Sequence, residues 1–81
     1  MRREARFPAG LVTAHLRVKQ GCIQAVRFYG DFFGSGPLEE LEAAMAGLPL
    51  DAQLAEALAP LHVEHYMSGI TAEELARLLR G

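Results

Sequence analysis

The sequence predicts an α+β domain: an antiparallel β-hairpin forming a small sheet, followed by and packed with about three α-helices. Two observations carry this reading. The sustained period-two alternation of apolar and polar residues falls before residue 30, and the helix start and stop signals all come after residue 35. Strands first and helices after argue against alternating parallel units. The chain has 81 residues, 51% hydrophobic and 22% charged, with no linker, repeat or low-complexity tract. It reads as one domain, residues 1–81, of a size that buries only about 60% of its unfolded surface.

The first strand is read over Leu11–Lys19, where Val12, Ala14, Leu16 and Val18 alternate with Thr13, His15, Arg17 and Lys19. Gln20-Gly21 supplies the turn. The second strand runs from about Cys22 to Tyr29. Ile23 and Ala25 share one face there while Val26 and Phe28 share the other, so the alternation slips near Gln24. Either a β-bulge or a strand covered on both faces explains the slip. One hairpin needs helices or a third strand over its apolar face, and the sequence leaves that third strand open.

Gly36-Pro37-Leu38-Glu39 opens a helix, with Gly36 as N-cap, Pro37 in the first helical position and Glu39 and Glu40 at the positive end of the dipole. Leu38, Leu41 and Met45 form its apolar stripe, and Gly47 closes it. A second helix is expected from Asp51 as N-cap to Pro60. The segment Leu61–Tyr66 reads either as a short strand or as an irregular connection. Thr71-Ala72-Glu73-Glu74 is a capping box, Ile70 and Leu75 are placed as a hydrophobic staple, and Arg77 and Arg80 suit the helix's negative end.

Between the two halves lies Gly30-Asp31-Phe32-Phe33-Gly34, an apolar loop where loops are usually polar. Its cover is either the domain's own helices, making Phe32 and Phe33 core, or a partner, making them an interface.

Net charge −2 and a pI near 5.8 provide no long-range attraction for nucleic acid or anionic membrane. Arg2, Arg3 and Arg6 form the one basic cluster and read as a solvated tail on a frayed terminus. The lone Cys22 rules out an intrachain disulfide and a thiolate metal cage, and reads as a small apolar residue. No signal-peptide run or apolar stretch of membrane-spanning length occurs, so the chain reads as cytosolic.

No catalytic constellation emerges. His62 and His65 flank Glu64 but fall short of a zinc ligand set. His15 lies on the polar face of the first strand, where Asp31 could orient it. Ser35 and Ser68 have no partner pattern, Lys19 abuts the turn, and the glycines match no phosphate loop. The helical carboxylates are accounted for by dipole and solvent. The chain reads as non-catalytic by itself and as part of a larger machine.

The run Arg6-Phe7-Pro8-Ala9-Gly10, the strand after it, Lys19-Gln20-Gly21, Ile23, Gly30-Asp31-Phe32-Phe33-Gly34, Leu38-Glu39-Glu40-Leu41, Gly47 and Gly69-Ile70-Thr71-Ala72-Glu73-Glu74-Leu75 together resemble the C-terminal accessory domain of lipoate-protein ligases. The resemblance spans essentially the whole chain, and its sharpest part is the Gly30–Gly34 segment. It implies a non-catalytic accessory subunit or domain that docks on the catalytic large subunit or domain, forming a heterodimer if the two are separate. That partner activates lipoate with ATP and Mg to lipoyl-AMP, then passes the lipoyl group to a lysine of a lipoyl carrier domain. No cofactor is expected on this chain alone. With Met1 just ahead of the first landmark, a separately encoded small subunit and a fragment of a longer ligase are both open. The expected partner-facing or active-site-capping surface is Gly30, Asp31, Phe32, Phe33 and Gly34, with His15 as a further candidate for the same surface. The alternative is a free-standing interaction module of the same fold with no lipoate role.

Overall fold

The computed structural model describes residues 1–81 and shows a three-stranded antiparallel sheet, order β1-β2-β3, formed by β1 (Arg2–Phe7), β2 (Gly10–Lys19) and β3 (Cys22–Gly30). Four helices follow: α1 (Leu38–Met45), α2 (Leu54–Leu58), α3 (Val63–Tyr66) and α4 (Ala72–Arg80), with a 3₁₀ turn at Ala59–Leu61 between α2 and α3. No helix is long and apolar enough to cross a membrane.

β1 corrects the expectation of a frayed basic tail. Arg2 through Phe7 pair in register with His15 through Gly10, and the burial alternates strictly, with Arg3, Ala5 and Phe7 turned inward and Arg2, Glu4 and Arg6 outward. Arg3 is the residue that disguises the pattern. Its guanidinium packs against Gly81, at the carbonyl end of α4, where a cation is favoured by the helix dipole.

In β2 and β3 the expected hairpin is present. Gln24 is the extra residue: Arg17 pairs with Ala25 but Val18 pairs with Ile23, so a bulge resets the face and lets Ile23, Val26 and Phe28 all point into the core. The edge of β3 is closed by α1 and the segment after it. Ile23 N–H donates to Leu48 O at 2.8 Å, Gly47 N–H to Ile23 O at 2.7 Å, and Phe28 N–H to Glu42 Oε2 at 2.8 Å.

The helices cover one face of the sheet only. Val12, Ala14, Leu16, Ile23, Val26 and Phe28 meet Leu41 and Met45 of α1, Leu54 and Leu58 of α2, and Leu75, Leu78 and Leu79 of α4 in one cluster. Leu41 and Met45 are fully buried and Leu38 half-buried, as the stripe requires. α1 begins one residue later than expected, with Pro37 in the cap position. α2 begins at Leu54, not next to Asp51. Asp51 instead caps a preceding turn, its Oδ1 accepting the Gln53 N–H at 2.9 Å and its carbonyl accepting the Leu54 N–H at 3.1 Å. Pro60 is absorbed by the 3₁₀ turn, and the undecided segment at Leu61–Tyr66 becomes α3, entered through His62 in the left-handed region.

α4 has the expected capping box: Glu74 N–H donates to Thr71 Oγ1 at 3.1 Å and Thr71 N–H to Glu74 Oε1 at 3.0 Å. Ile70 and Leu75, the staple pair, are both fully buried. Thr71→Ala is expected to cost about 1 kcal/mol and lower Tm by about 4–8 °C, measured by circular dichroism melting.

Candidate functional site

The Gly30–Gly36 loop is held at both sides by backbone. Asp31 N–H donates to Leu11 O at 3.0 Å, tying the loop to the start of β2. Ser35 N–H donates to His65 O at 2.7 Å and Ser68 N–H to Phe33 O at 2.6 Å, tying it to α3 and the residues after it. Both ends need glycine. At Gly30, φ is +145° and a Cβ would collide with Leu11 O; at Gly34, a Cβ would collide with Tyr66 O. The loop is therefore a strap in van der Waals contact with two parts of the fold.

The strap sends its two aromatic rings to different places. Phe32 is half-buried and packs on the core cluster, whereas Phe33 is 83% exposed. Sequence reasoning treated the pair as one unit, either core or interface; the structure divides them. With its own carbonyl bonded and its neighbours pinned, Phe33 carries an exposed apolar ring from a fixed backbone. Exposed single apolar residues are common on monomers; a clamped one is already ordered before any contact is made.

α3 completes this end of the molecule. Tyr66 hydroxyl donates to Glu40 Oε1 at 3.1 Å, joining α3 to α1 beneath the strap, and the His65 and Tyr66 rings meet edge-to-face at 4.9 Å. Burial, then the hydrogen bond to Glu40, then its negative charge push the Tyr66 phenol above its ordinary range.

His15 is not beside the strap. It lies in the row that pairs with Arg2 and Arg27, two rows from the Leu11–Asp31 link, and its ring meets Tyr29 edge-to-face at 5.3 Å. Asp31 therefore does not orient it. His62 and His65 line a shallow surface hollow with Glu64, Tyr66 and Thr71. No group of three or more His, Cys, Asp or Glu is placed to hold a metal ion. Cys22 stays a free thiol, half-buried where the sheet meets Pro49.

A larger feature escaped the sequence reading, which recognised basic clustering only in Arg2, Arg3 and Arg6. Arg2, Arg6, His15, Arg17, Lys19 and Arg27 are all exposed on the strands, and the alternation of burial puts them on the face of the sheet that no helix covers. Residues scattered along the sequence become neighbours through antiparallel pairing. The signal available in sequence was that residues 1–30 contain one carboxylate, Glu4, while the other nine of the ten come later.

These features define an α+β domain with a single-sided helical layer and a pinned aromatic loop at one end. The chain belongs to the family described as "Bacterial lipoate protein ligase C-terminus", whose model matches residues 1–79. It is 40% identical over 78 residues to a lipoate–protein ligase of Streptococcus pyogenes serotype M5 and 35% identical over 75 residues to the lipoate-protein ligase LplJ of Bacillus subtilis. Those matches cover 95% and 91% of this chain but 23% of each relative, so the chain spans about a quarter of their length. A chain from the structural analysis of an archaeal lipoylation system, a bi-partite lipoate protein ligase and its E2 lipoyl domain from Thermoplasma acidophilum, has the same fold. It superposes with TM-score 0.81 at 18% identity, over 100% of this chain and 94% of that one.

Phe33→Ser is expected to leave stability within about 0.5 kcal/mol of wild type, while Gly34→Ala forces the strap off α3 and lowers Tm. Thermal melts of the two variants side by side test both. Tyr66 is expected to ionise above the ordinary tyrosine range, and Glu40→Gln to bring it part of the way back, read by ultraviolet absorbance titration. Because the folded-state value is raised, the stabilisation linked to Tyr66 is complete below the ordinary tyrosine value and is lost as pH rises through the folded one.

Proposed function

We propose that this chain is the accessory part of a lipoate-protein ligase, docking on the catalytic part and supporting ATP-dependent activation of lipoate to lipoyl-AMP. The lipoyl group then passes to a lysine of a lipoyl carrier domain. The observation that carries the reading is Phe33, held out from a clamped glycine-bounded strap in a chain of this family. The match to a quarter of the length of known ligases leaves the rest of such an enzyme to supply the reacting groups.

Physically, an accessory domain contributes by closure. A docked cap excludes water and fixes the geometry around ATP, its Mg and lipoate while the nucleotide-binding residues come from the catalytic part. The strap suits that work because its backbone is tied down before any contact is made: Asp31, Ser35 and Gly36 N–H groups donate, and Phe33 O accepts, within the domain, so little ordering remains to be done on docking. Gly30, Asp31, Phe33 and Gly34 form the proposed contact surface, and Phe32 anchors it from within. His15, on the open sheet face, belongs to a different surface.

The test is lipoate-dependent ATP–pyrophosphate exchange by the catalytic part with and without this chain. Exchange that needs both is the expected result. No change, with the catalytic part shown to be folded, would leave an interaction module of the same fold without a lipoate role. Within the complex, Phe33→Ser is expected to weaken association about tenfold, the loss of roughly 1–2 kcal/mol that one interface anchor supplies, measured by titration calorimetry.

A further inference from the structure

The uncovered sheet face has an electrostatic arrangement that the docking role of the strap leaves unused. Arg2, His15 and Arg27 lie side by side across the three strands, with Arg6 toward one end of the face and Arg17 and Lys19 toward the other. The only carboxylate on the strands is Glu4, already held by Arg2 at 3.0 Å and by the Thr13 hydroxyl at 2.8 Å, while Glu39 and Glu42 of α1 line the same hollows as Arg27 at the β3 edge without pairing with it. That Arg2–Glu4 contact is the one ion pair in the chain, so Arg6, Arg17, Lys19 and Arg27 have no carboxylate partner. Arg2 and Arg27 stand on either side of His15, while Arg6, Arg17 and Lys19 face Leu11, Ala25 and Cys22, so the cations are spread over the face with no opposite charge between neighbouring strands other than Glu4. A fold that concentrates them on its open face and gathers its carboxylates on the helical side is set up to be relieved by an anionic partner.

We propose that this face is a salt-sensitive docking surface for the acidic face of the protein that accepts the lipoyl group, an inference that rests on the ligase role above. Two observations select a folded acidic protein as the occupant. The domain measures 31 × 23 × 20 Å and carries net charge −2, so an extended polyanion reaching past the sheet meets the carboxylates behind it. The aromatic rings exposed on the face, Tyr29 and His15, meet edge-to-face, so the face lacks the successive parallel stacking platforms that single-stranded nucleic acid uses. A small acidic patch over Arg2 and Arg17, on the β1–β2 side of the face, satisfies these charges away from Glu39 and Glu42 of α1.

The chemistry of the two surfaces also separates their partners. An apolar anchor such as Phe33 suits a lasting contact, while a charged and apolar-poor face gives fast association and easy release. The acceptor is the partner that must arrive and leave in every turnover. Its on-rate gains from steering, and its release is not slowed by a buried hydrophobic core.

The experiment compares wild type with the double variant Arg17→Glu and Arg27→Glu, both exposed, and uses a purified apo lipoyl domain as the probe. Binding of that domain to the chain, and its KM in transfer by the assembled ligase, are measured between about 50 and 300 mM salt. Pyrophosphate exchange is measured on the same samples. The expected result is about a tenfold weaker Kd and higher KM for the variant at low salt, a flatter salt dependence, and unchanged exchange. Unchanged binding overturns the proposal. Loss of exchange together with binding also overturns it, because the face is then where the catalytic part sits. If wild type fails to support exchange at all, the ligase role fails, and the direct binding measurement still decides whether this face takes an acidic lipoyl domain.

Discussion

The architecture depends on the period-two geometry of β2. Burying Val12, Ala14 and Leu16 commits His15 and Arg17 to the opposite side, because successive side chains of a strand cannot share a face. Ala14 sits at the middle of the buried row with no accessible surface, and its small side chain lets the helical layer come close to the sheet. β1 and β3 take their facing from β2 through register. The hydrophobic core and the basic surface are thus two sides of one constraint. A one-residue slip in register would exchange them and bury a row of unpaired cations.

Around that sheet, the long connections are fixed by backbone hydrogen bonds. The segment after α1 closes the outer side of β3, and the Gly30–Gly36 strap joins the start of β2 to α3. Four helices of nine residues or fewer have little stability of their own. They persist because each is attached at a point where the sheet or the strap satisfies its neighbours. α3, four residues long and entered through a left-handed His62, is the clearest case: the strap and the Tyr66–Glu40 contact hold it.

Features set by local rules were legible in the sequence. The β2–β3 hairpin, the slip at Gln24 and the Thr71–Glu74 box follow from alternation and capping chemistry within a few residues. β1 was not legible because one of its three inward positions is Arg3, whose partner at the end of α4 is far away in sequence. α3 was missed because one helical turn has too few residues to show a period. The candidate surfaces divide in the same way. Glycine spacing marked the strap, but the separate fates of Phe32 and Phe33 depend on α3 and the core. The basic face exists only once three strands are aligned.

The hydrogen bond from Phe28 N–H to Glu42 has a consequence for self-association. Together with Leu48 and Gly47 at Ile23, it removes the pairing template that an edge strand normally offers to a second molecule. The opposite edge, β1, remains as a template but is flanked by Arg2 and Arg6, so two copies approaching edge to edge would bring like charges together. One border of the sheet is sealed by bonding and the other guarded by repulsion, which leaves the domain free to meet other proteins without polymerising on itself.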